Sequence, residues 1–263
     1  MPTSPFTSDQ TASAVPSDTS SRTVPAHAPT ALELDGVTLT YPDGAGTLTA
    51  LDEVSLRVGA GQMLALVGPS GSGKSSLLAV AATLVQPQHG VVSIAGRDAA
   101  QLSRRGRDRL RRDEIGMIFQ QPNLLPSLTS REQLIIAEDM RGGARRSAAA
   151  RADALLEEVG LTDAAGRRPH ELSGGMRQRV NIARALIGSP SVLLVDEPTA
   201  ALDHDRSLTV VQLLARLTAE HQVATVMVTH DTEYVPVADA VATMRDGALS
   251  RPEPTDTGKT SWN

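Results

Sequence analysis

The sequence predicts an α/β fold. We expect a mixed, mainly parallel sheet covered by helices, an antiparallel β region on its N-terminal side and a helical subdomain inserted between strands. Three short apolar runs support this prediction, at residues 63–67, 191–195 and 223–228. Nearly continuous apolar strands are typical of parallel sheets that helices cover on both faces. The first two runs are each followed by a turn and a helical pattern, which is the order of an α/β unit.

The antiparallel region is predicted from residues 32–40, in which apolar and polar side chains alternate. Such alternation is typical of a half-exposed strand. Residues 41–46 interrupt the pattern, and residues 48–58 predict a second strand. Tyr41 stands at the end of the first strand. Its ring is placed either to stack on a purine base or to cap the strand end, and the pattern leaves both interpretations open.

A glycine-rich loop follows the strand at residues 63–67 and leads into a predicted helix over residues 76–85. It fits G-x-x-x-x-G-K-S at every fixed position, and strand, loop and helix together are the context of a phosphate-binding P-loop. Backbone N–H groups and the helix N-terminus attract the anion. We expect Lys74 to reach the β- and γ-phosphates and to act in catalysis, and Ser75 to bind Mg²⁺. The residues expected to contact a nucleoside triphosphate are Gly68, Pro69, Ser70, Gly71, Ser72, Gly73, Lys74, Ser75 and Ser76.

Residues 104–112 contain six arginines, which predicts a solvated helix face, with phosphate or lipid contact as the alternative. The next predicted strand covers residues 115–119 and ends at Gln120. Open α/β sheets bind ligands at the carboxyl ends of their strands. Gln120 is therefore placed to contact Mg²⁺ or the attacking water, the alternative being a polar loop residue.

Helical periodicity begins at residue 123, with a break at the glycine pair of residues 142–143, and predicts the inserted helical subdomain over about residues 123–185. Within it, Ser173 is a good N-cap for a helix, and Gly174 and Gly175 leave backbone N–H groups accessible. The sequence thus predicts a second anion site without a second P-loop. A capped surface helix is the alternative.

Two acids, Asp196 and Glu197, follow the apolar strand of residues 191–195. Neighbouring carboxylates at such a strand end are costly unless a cation or a reaction uses them. We expect Asp196 to hold Mg²⁺ through water and Glu197 to orient or deprotonate the attacking water. A turn then leads to Asp203 and another helix. His230 lies just after the strand of residues 223–228. An isolated histidine more often has no functional role, but this edge position favours a hydrogen bond from His230 to the γ-phosphate.

Composition limits the function classes. The chain has 263 residues, a net charge of −5, no cysteine, and only three aromatic residues outside its ends, which argues against a nucleic-acid partner, a disulfide framework and thiol catalysis. The absence of cysteine fits a cytoplasmic location. Residues 1–30 lack the features of a signal peptide and predict a disordered tail. We expect one folded domain at residues 31–250, a flexible tail at residues 251–263 and no membrane span.

The order of these motifs resembles the nucleotide-binding subunits of ATP-binding-cassette (ABC) transporters, over about residues 32–249. The motifs are, in order, GPSGSGKS, Phe119-Gln120, LSGGM, LLVDEP, AALD and His230. The resemblance implies an ATPase that uses ATP and Mg²⁺. It makes Tyr41 the adenine-stacking residue, Gln120 the glutamine loop, residues 172–176 the family signature, Asp203 part of the D-loop and His230 the switch histidine.

In the family, two such domains pair head to tail, and the signature helix of one closes on the γ-phosphate held by the other. The resemblance therefore implies a homodimer on two ATP molecules, with Ser173, Gly174 and Gly175 binding nucleotide across the interface. Met176 departs from the family pattern, which commonly has glutamine there. Because methionine cannot donate a hydrogen bond to the nucleotide, a slightly weaker closed state is expected.

The sequence around residues 120–129 resembles that of the family branch that contains macrolide exporters, lipoprotein-releasing complexes and the cell-division cassette. This branch implies a separate integral-membrane permease, an export or extraction role, and a location on the inner face of the cell membrane. Two other functions stay open: signalling through a membrane partner without transport, and a soluble cassette acting on DNA or ribosomes. For the second of these, this chain lacks the long coiled coil of cassettes that act on DNA and the second cassette of those that act on ribosomes. The transported substrate cannot be read from this chain.

Overall fold

A computed structural model describes residues 1, 29–44, 46–143, 145–200 and 202–255. Most of the predicted N-terminal tail and residues 256–263 of the predicted C-terminal tail lie outside these ranges. The strands are β1 (Thr30–Asp43), β2 (Gly46–Gly59), β3 (Met63–Val67), β4 (His89–Ile94), β5 (Arg97–Asp98), β6 (Ile115–Ile118), β7 (Val192–Asp196), β8 (Ala224–Val228), β9 (Ala240–Arg245), β10 (Ala248–Leu249) and β11 (Glu253–Pro254). The helices are α1 (Lys74–Ala81), α2 (Arg104–Glu114), α3 (Ser130–Met140), α4 (Arg145–Glu158), α5 (Gly174–Leu186) and α6 (His204–Glu220).

Within the described ranges, the strands form two sheets. The order β2-β1-β4-β5 makes an antiparallel sheet, as the alternating patterns predict. The larger sheet has the order β10-β9-β3-β8-β7-β6, with β11 added on β9. Strands β9, β3, β8, β7 and β6 of this sheet run parallel. The predicted combination of a mixed, mainly parallel sheet and an antiparallel β region is therefore confirmed.

The parallel sheet separates two apolar layers, because successive side chains of a strand point to opposite faces. On β3, Leu64 and Leu66 pack with α1 and the antiparallel sheet, whereas Met63 and Ala65 pack with residues of α4, α5 and α6. All four side chains are at most 1% exposed. Burial on both faces explains why these strands are uniformly apolar in the sequence.

The helical region joins the second of these layers. Thr129 and Glu132 form a capping box at the start of α3, where Glu132 accepts from the backbone of Thr129 at 2.8 Å. Leu134 on α3 is fully buried in the same apolar layer as Leu155 and Leu156 of α4. The predicted break falls between α3 and α4, where Gly142 has a φ of +88°. The bounds of the helical subdomain and of the whole folded domain stay predictions.

Some predicted element ends differ from the observed ones. Strands β1 and β2 extend beyond the predicted break at residues 41–46, because Tyr41 and Pro42 still pair across to Leu48 and Thr47. Helix α1 ends at Ala81 instead of residue 85, and Thr83 just beyond it has a left-handed φ of +55°. Residues 253–254 pair with β9 inside the segment predicted as a flexible tail. Pairing with another strand causes these strand differences, and the alternation of side chains within one segment does not report such pairing.

We looked for membrane-spanning helices in the described ranges. None of the helices there has both the length and the apolar character that crossing a bilayer requires.

Gly116 on β6 gives a test of the packing between sheet and helix. A Cβ atom there would lie 2.6 Å from the carbonyl oxygen of Ala185 on α5 and 2.9 Å from Leu193 Cδ1. We therefore expect Gly116→Ala to lower the free energy of unfolding by about 1–3 kcal/mol, since the backbone of α5 must shift. Urea and thermal unfolding measure this change. Gly166→Ala is the matched control, because a Cβ there has no atom of the described structure within 4 Å; equal stability of the two variants would contradict the close approach.

Candidate functional site

The candidate site is built where parallel strands end together. Leu66 of β3 pairs with Val228 of β8, Asp196 of β7 pairs with the same Val228, and Ile118 of β6 pairs with Val195. The residues that follow each strand therefore meet at one edge of the sheet. This edge receives the glycine loop, Gln120, the acidic pair and His230, as the sequence analysis expects.

The glycine loop is held tightly from behind. A Cβ on Gly73 would lie 2.3 Å from the carbonyl oxygen of Ala50 on β2 and 2.9 Å from Met244 Cε on β9, so no side chain fits there. The loop backbone is fixed further by Gly247, whose N–H donates to the Ser72 carbonyl at 3.0 Å. At Gly71, in contrast, a Cβ would project into open space. The loop thus has one packed side and one open side.

Lys74 begins helix α1 and returns its side chain to the loop. Its Nζ donates to the carbonyl oxygens of Gly68 at 2.8 Å and Pro69 at 2.7 Å. Both partners are neutral carbonyl groups, and in the described ranges no carboxylate lies within ion-pairing distance of the ammonium group. The side chain is thus held at the loop by bonds that an anion could replace.

Asp196 and Glu197 lie beside this cation at the end of β7. Burial raises the pKa of Asp196, the neighbouring Glu197 carboxylate raises it further, and Lys74 acts in the opposite direction. Glu197 has a left-handed φ of +47°, which is strained for a residue with a side chain. Its N–H donates to the Val228 carbonyl at 3.0 Å, and that bond fixes the turn. Strain of this kind concentrates at functional sites.

His230 is in direct contact with Glu197: its Nδ1 is hydrogen-bonded to Glu197 Oε2. The imidazole is largely exposed, at 69% of its side-chain surface, whereas Glu197 is 19% exposed. The contact thus joins a half-buried carboxylate to a solvent-accessible ring. The expected hydrogen bond from His230 to the γ-phosphate stays a prediction.

The cleft between these elements has a volume of about 460 Å³, within the usual range of ligand sites. Tyr41 lies along it with 38% exposure. The predicted residues that line it are Tyr41, Ser70, Gly71, Gly73, Lys74, Ser75, Ser76, Gln120, Asp196 and Glu197. Leu48, Thr49 and Ala50 of β2 also line it; the sequence analysis did not name them, because their place depends on how the two sheets pack.

The predicted second anion site lies elsewhere on the chain. Ser173 is the N-cap of α5 and accepts from the N–H of Met176 at 3.3 Å. Ser173, Gly174 and Gly175 are not among the described residues that line the cleft. Asp203 is likewise outside it and caps α6 by accepting from the Arg206 N–H at 3.1 Å. Within one chain, the cleft and the start of α5 are thus separate.

Comparison with known proteins identifies the family. The family model described as ABC transporter matches residues 51–200. The chain belongs to the ABC transporter family. A lipoprotein-releasing system ATP-binding protein, LolD 2 of Caulobacter vibrioides, is 43% identical over 83% of this chain and 96% of its own length. A macrolide export ATP-binding/permease protein, MacB of Rhodopseudomonas palustris, is 39% identical over 83% of this chain, but this match covers 33% of MacB.

Solved structures agree with this assignment. The ATP-binding cassette MJ0796, described as a dimer in a post-hydrolysis state with ADP and Pi, matches with a TM-score of 0.75 and 36% identity over 85% of this chain and 98% of its own. The cbiO1 protein of Clostridium perfringens matches with a TM-score of 0.77 and 28% identity over 86% and 88%. The predicted family, the α/β fold and ATP hydrolysis as the activity are therefore confirmed. ABC subunits of this kind form dimers and act with membrane components.

The residues of this ABC subunit fit a magnesium–nucleotide complex. Ser75, Gln120 and Asp196 bring hydroxyl, amide and carboxylate oxygens to one cleft, and oxygen ligands are those that Mg²⁺ prefers. Ser72 Oγ is buried without a hydrogen-bond partner among the described residues, within the loop that would surround the phosphates. Burial and Glu197 raise the pKa of Asp196 more than Lys74 lowers it, so a bound cation would offset part of the cost of this carboxylate.

We predict that Asp196→Asn stabilises this ABC subunit when neither nucleotide nor Mg²⁺ is present. The folded pKa of Asp196 is raised, so the folded state binds the proton more tightly than the unfolded chain. Its contribution to stability therefore falls as pH rises from the ordinary aspartate pKa through the raised one. Thermal unfolding at pH 4 to 8 should show the advantage of the variant growing with pH.

The same variant should lose much of the further stabilisation that Mg²⁺ adds to ATP, if Asp196 holds Mg²⁺ through water as the sequence predicts. Asp163→Asn, at an exposed aspartate outside the cleft, is the control and should change neither property. A lower melting temperature of Asp196→Asn at pH 8, without ligands, would contradict the burial cost assigned to this carboxylate.

Proposed function

We propose that this ABC subunit pairs head to tail with a second copy of itself on two Mg²⁺–ATP complexes and thereby drives a separate membrane permease that exports or extracts its substrate. One observation supports the pairing above all others: Lys74, Asp196 and Glu197 share one cleft, whereas Ser173 does not line it. The start of α5 lies outside the cleft of its own chain, and Gly175 there is buried within one copy. Its N–H groups can therefore reach such a cleft only on another copy.

In this proposal the nucleotide lies along the cleft. The ring of Tyr41 stacks on the adenine. Backbone N–H groups of residues 68–76 surround the phosphates, and Lys74 exchanges its two carbonyl partners for the β- and γ-phosphate oxygens. The exchange is favourable because a charge-assisted hydrogen bond is stronger than a neutral one.

Ser75, Gln120 and Asp196 hold Mg²⁺ in this proposal, Asp196 through water. When bound, Mg²⁺ neutralises charge that develops on the phosphate oxygens. The chain's own contribution is to bring the three oxygen donors to one sheet edge, with Ser75 in the first turn of α1, Gln120 after β6 and Asp196 at the end of β7.

Glu197 is the residue proposed to orient the attacking water and accept its proton. His230 positions the Glu197 carboxylate through the observed hydrogen bond and contacts the γ-phosphate side of the site. Catalysis of this kind depends mainly on positioning and on charge stabilisation. The strained backbone at Glu197 supports this role, because strain of this kind is retained where a side chain must point in a particular direction.

The second copy completes the site in this proposal. Its Ser173, Gly174 and Gly175 close on the γ-phosphate, and its Asp203 lies in the adjoining D-loop. Asp203 and Ser173 are both exposed N-caps, and the starts of α5 and α6 are neighbours, since a Cβ on Gly175 would lie 3.7 Å from Arg206 Cδ. One face thus presents both motifs together. ATP holds the two copies together, and hydrolysis releases them.

The membrane partner is proposed from the relatives. LolD is named as an ATP-binding protein of a lipoprotein-releasing system and covers a similar length, whereas this chain spans a third of MacB, which is named as both ATP-binding protein and permease. By analogy with LolD, the permease is a separate chain. The ABC subunit then lies on the inner face of the cell membrane, where its permease holds it.

We predict that Glu197→Gln binds ATP, forms a stable dimer and hydrolyses ATP at least about a hundredfold more slowly, because the proton acceptor is lost. Size-exclusion chromatography with light scattering, with and without Mg²⁺–ATP, measures the dimer. Adding Ser173→Arg to this variant should abolish the dimer but preserve ATP binding to the monomer. A Glu197→Gln protein that stays monomeric at every concentration would overturn head-to-tail pairing.

Affinity purification from detergent-solubilised membranes tests the partner. The tagged chain should retain an integral-membrane protein of the permease type, and that complex should show a higher ATPase rate than the isolated subunit. Lys74→Ala is the control for ATP dependence, since it should still bind the permease but should lose nucleotide affinity. Recovery of ribosomes or DNA without any membrane protein would contradict the proposed partner.

A further inference from the structure

Helix α5 contacts the glutamine loop through two side chains that the mechanism above does not use. Asn181 is fully buried and donates from Nδ2 to the Phe119 carbonyl at 3.3 Å. Arg184 donates from Nη2 to the Pro122 carbonyl at 2.7 Å and from Nη1 to the Asn123 carbonyl at 3.2 Å. These bonds fix the backbone on both sides of Gln120.

Arg184 is a half-buried cation whose partners are all neutral oxygens. It is half-buried, and burial lowers the pKa of its guanidinium. In the described part of the chain, no carboxylate lies within ion-pairing distance of it. Its third partner is Asn181 Oδ1 at 2.8 Å. A partly desolvated cation that only neutral oxygens satisfy is costly, so its placement needs a reason.

The loop that Arg184 holds contains a left-handed residue, Asn123, with a φ of +44°, a conformation that asparagine tolerates. The planar fork of Arg184 binds two successive carbonyls of this loop at once, an arrangement that a lysine cannot reproduce. Gln120, which follows Phe119, is itself exposed and lines the cleft. Its direction therefore depends on the backbone around it.

We propose that Arg184, together with Asn181, is a positioning residue that holds Gln120 toward the Mg²⁺ site and fixes its distance from Ser173 at the start of the same helix. This inference rests on the proposed function, because it assumes that Gln120 is a Mg²⁺ ligand. Eleven residues of helix separate Arg184 from Ser173, which is about 16 Å. Helix α5 is thus a rigid connection between the metal side of one nucleotide site and the helix start that closes the other.

The test compares nucleotide binding with and without Mg²⁺, so that it does not depend on turnover. Isothermal titration with a non-hydrolysable ATP analogue, in Mg²⁺ and then in EDTA, gives the factor by which Mg²⁺ tightens binding. We expect Gln120→Ala to reduce this factor about tenfold, and Arg184→Met to reduce it about three- to tenfold, with binding in EDTA unchanged in both. Arg184→Lys should be intermediate, because it retains the charge but not the fork.

Arg179→Met is the matched control. Arg179 lies on the same helix, is also half-buried, and donates from Nη1 to the carbonyls of Val159 at 3.2 Å and Gly160 at 3.4 Å. Its loss removes the same kind of bond at a place away from the glutamine loop. A purely structural role for Arg184 would lower the melting temperature of both variants and leave the Mg²⁺ factor of both unchanged.

The outcomes separate the inference from the proposed function. If Gln120→Ala changes the Mg²⁺ factor but Arg184→Met and Arg184→Lys do not, the positioning role is overturned and the metal site stands. If Gln120→Ala has no effect, both are overturned. Should Arg184→Met fail to fold, Arg184→Lys and Asn181→Ala provide the same comparison, and an unchanged Mg²⁺ factor in those two variants overturns the inference.

Discussion

The pairing register of the parallel strands, which makes them end at one edge of the sheet, is the constraint on which the rest of this structure depends. Because β3, β6, β7 and β8 end at the same height, four loops of unrelated sequence arrive at one edge. Each loop brings one kind of group: a cation, an amide, two carboxylates or an imidazole. None of these groups has a function alone, and a slip of one residue in any strand would turn its side chains to the other face and move its terminal group out of reach.

The individual parts of the site could be predicted from the sequence because their signals are local. The glycine pattern between residues 68 and 75, the apolar run that ends at Asp196 and the N-cap at Ser173 can each be recognised within a dozen residues. Their order along the chain then indicates the family. The contact between His230 and Glu197 follows less directly, since it depends on β7 and β8 being neighbours in the sheet.

What could not be predicted depends on contacts with other elements of the fold. The hairpin continues past Tyr41 because the opposite strand supplies bonds that the local alternation does not report. Asn181 and Arg184 resemble ordinary polar positions of an amphipathic helix, and only the folded chain shows that they reach the loop around Gln120. The lining contributed by β2 depends in the same way on one sheet packing over another. The chemical groups of the site can be recognised from residue types, whereas the residues that position those groups can be recognised only once the topology is known.

The contacts that hold the packed side of the glycine loop have a consequence for biosynthesis. The packed side of the loop is completed by Ala50, which is synthesised before it, and by Met244 and Gly247, which are synthesised long after it. Because a chain emerges from the ribosome with its N-terminal part first, a nascent chain that has exposed only residues 68–75 lacks the contacts from Met244 and Gly247. The packed side of the phosphate loop is therefore complete only after synthesis has passed residue 247.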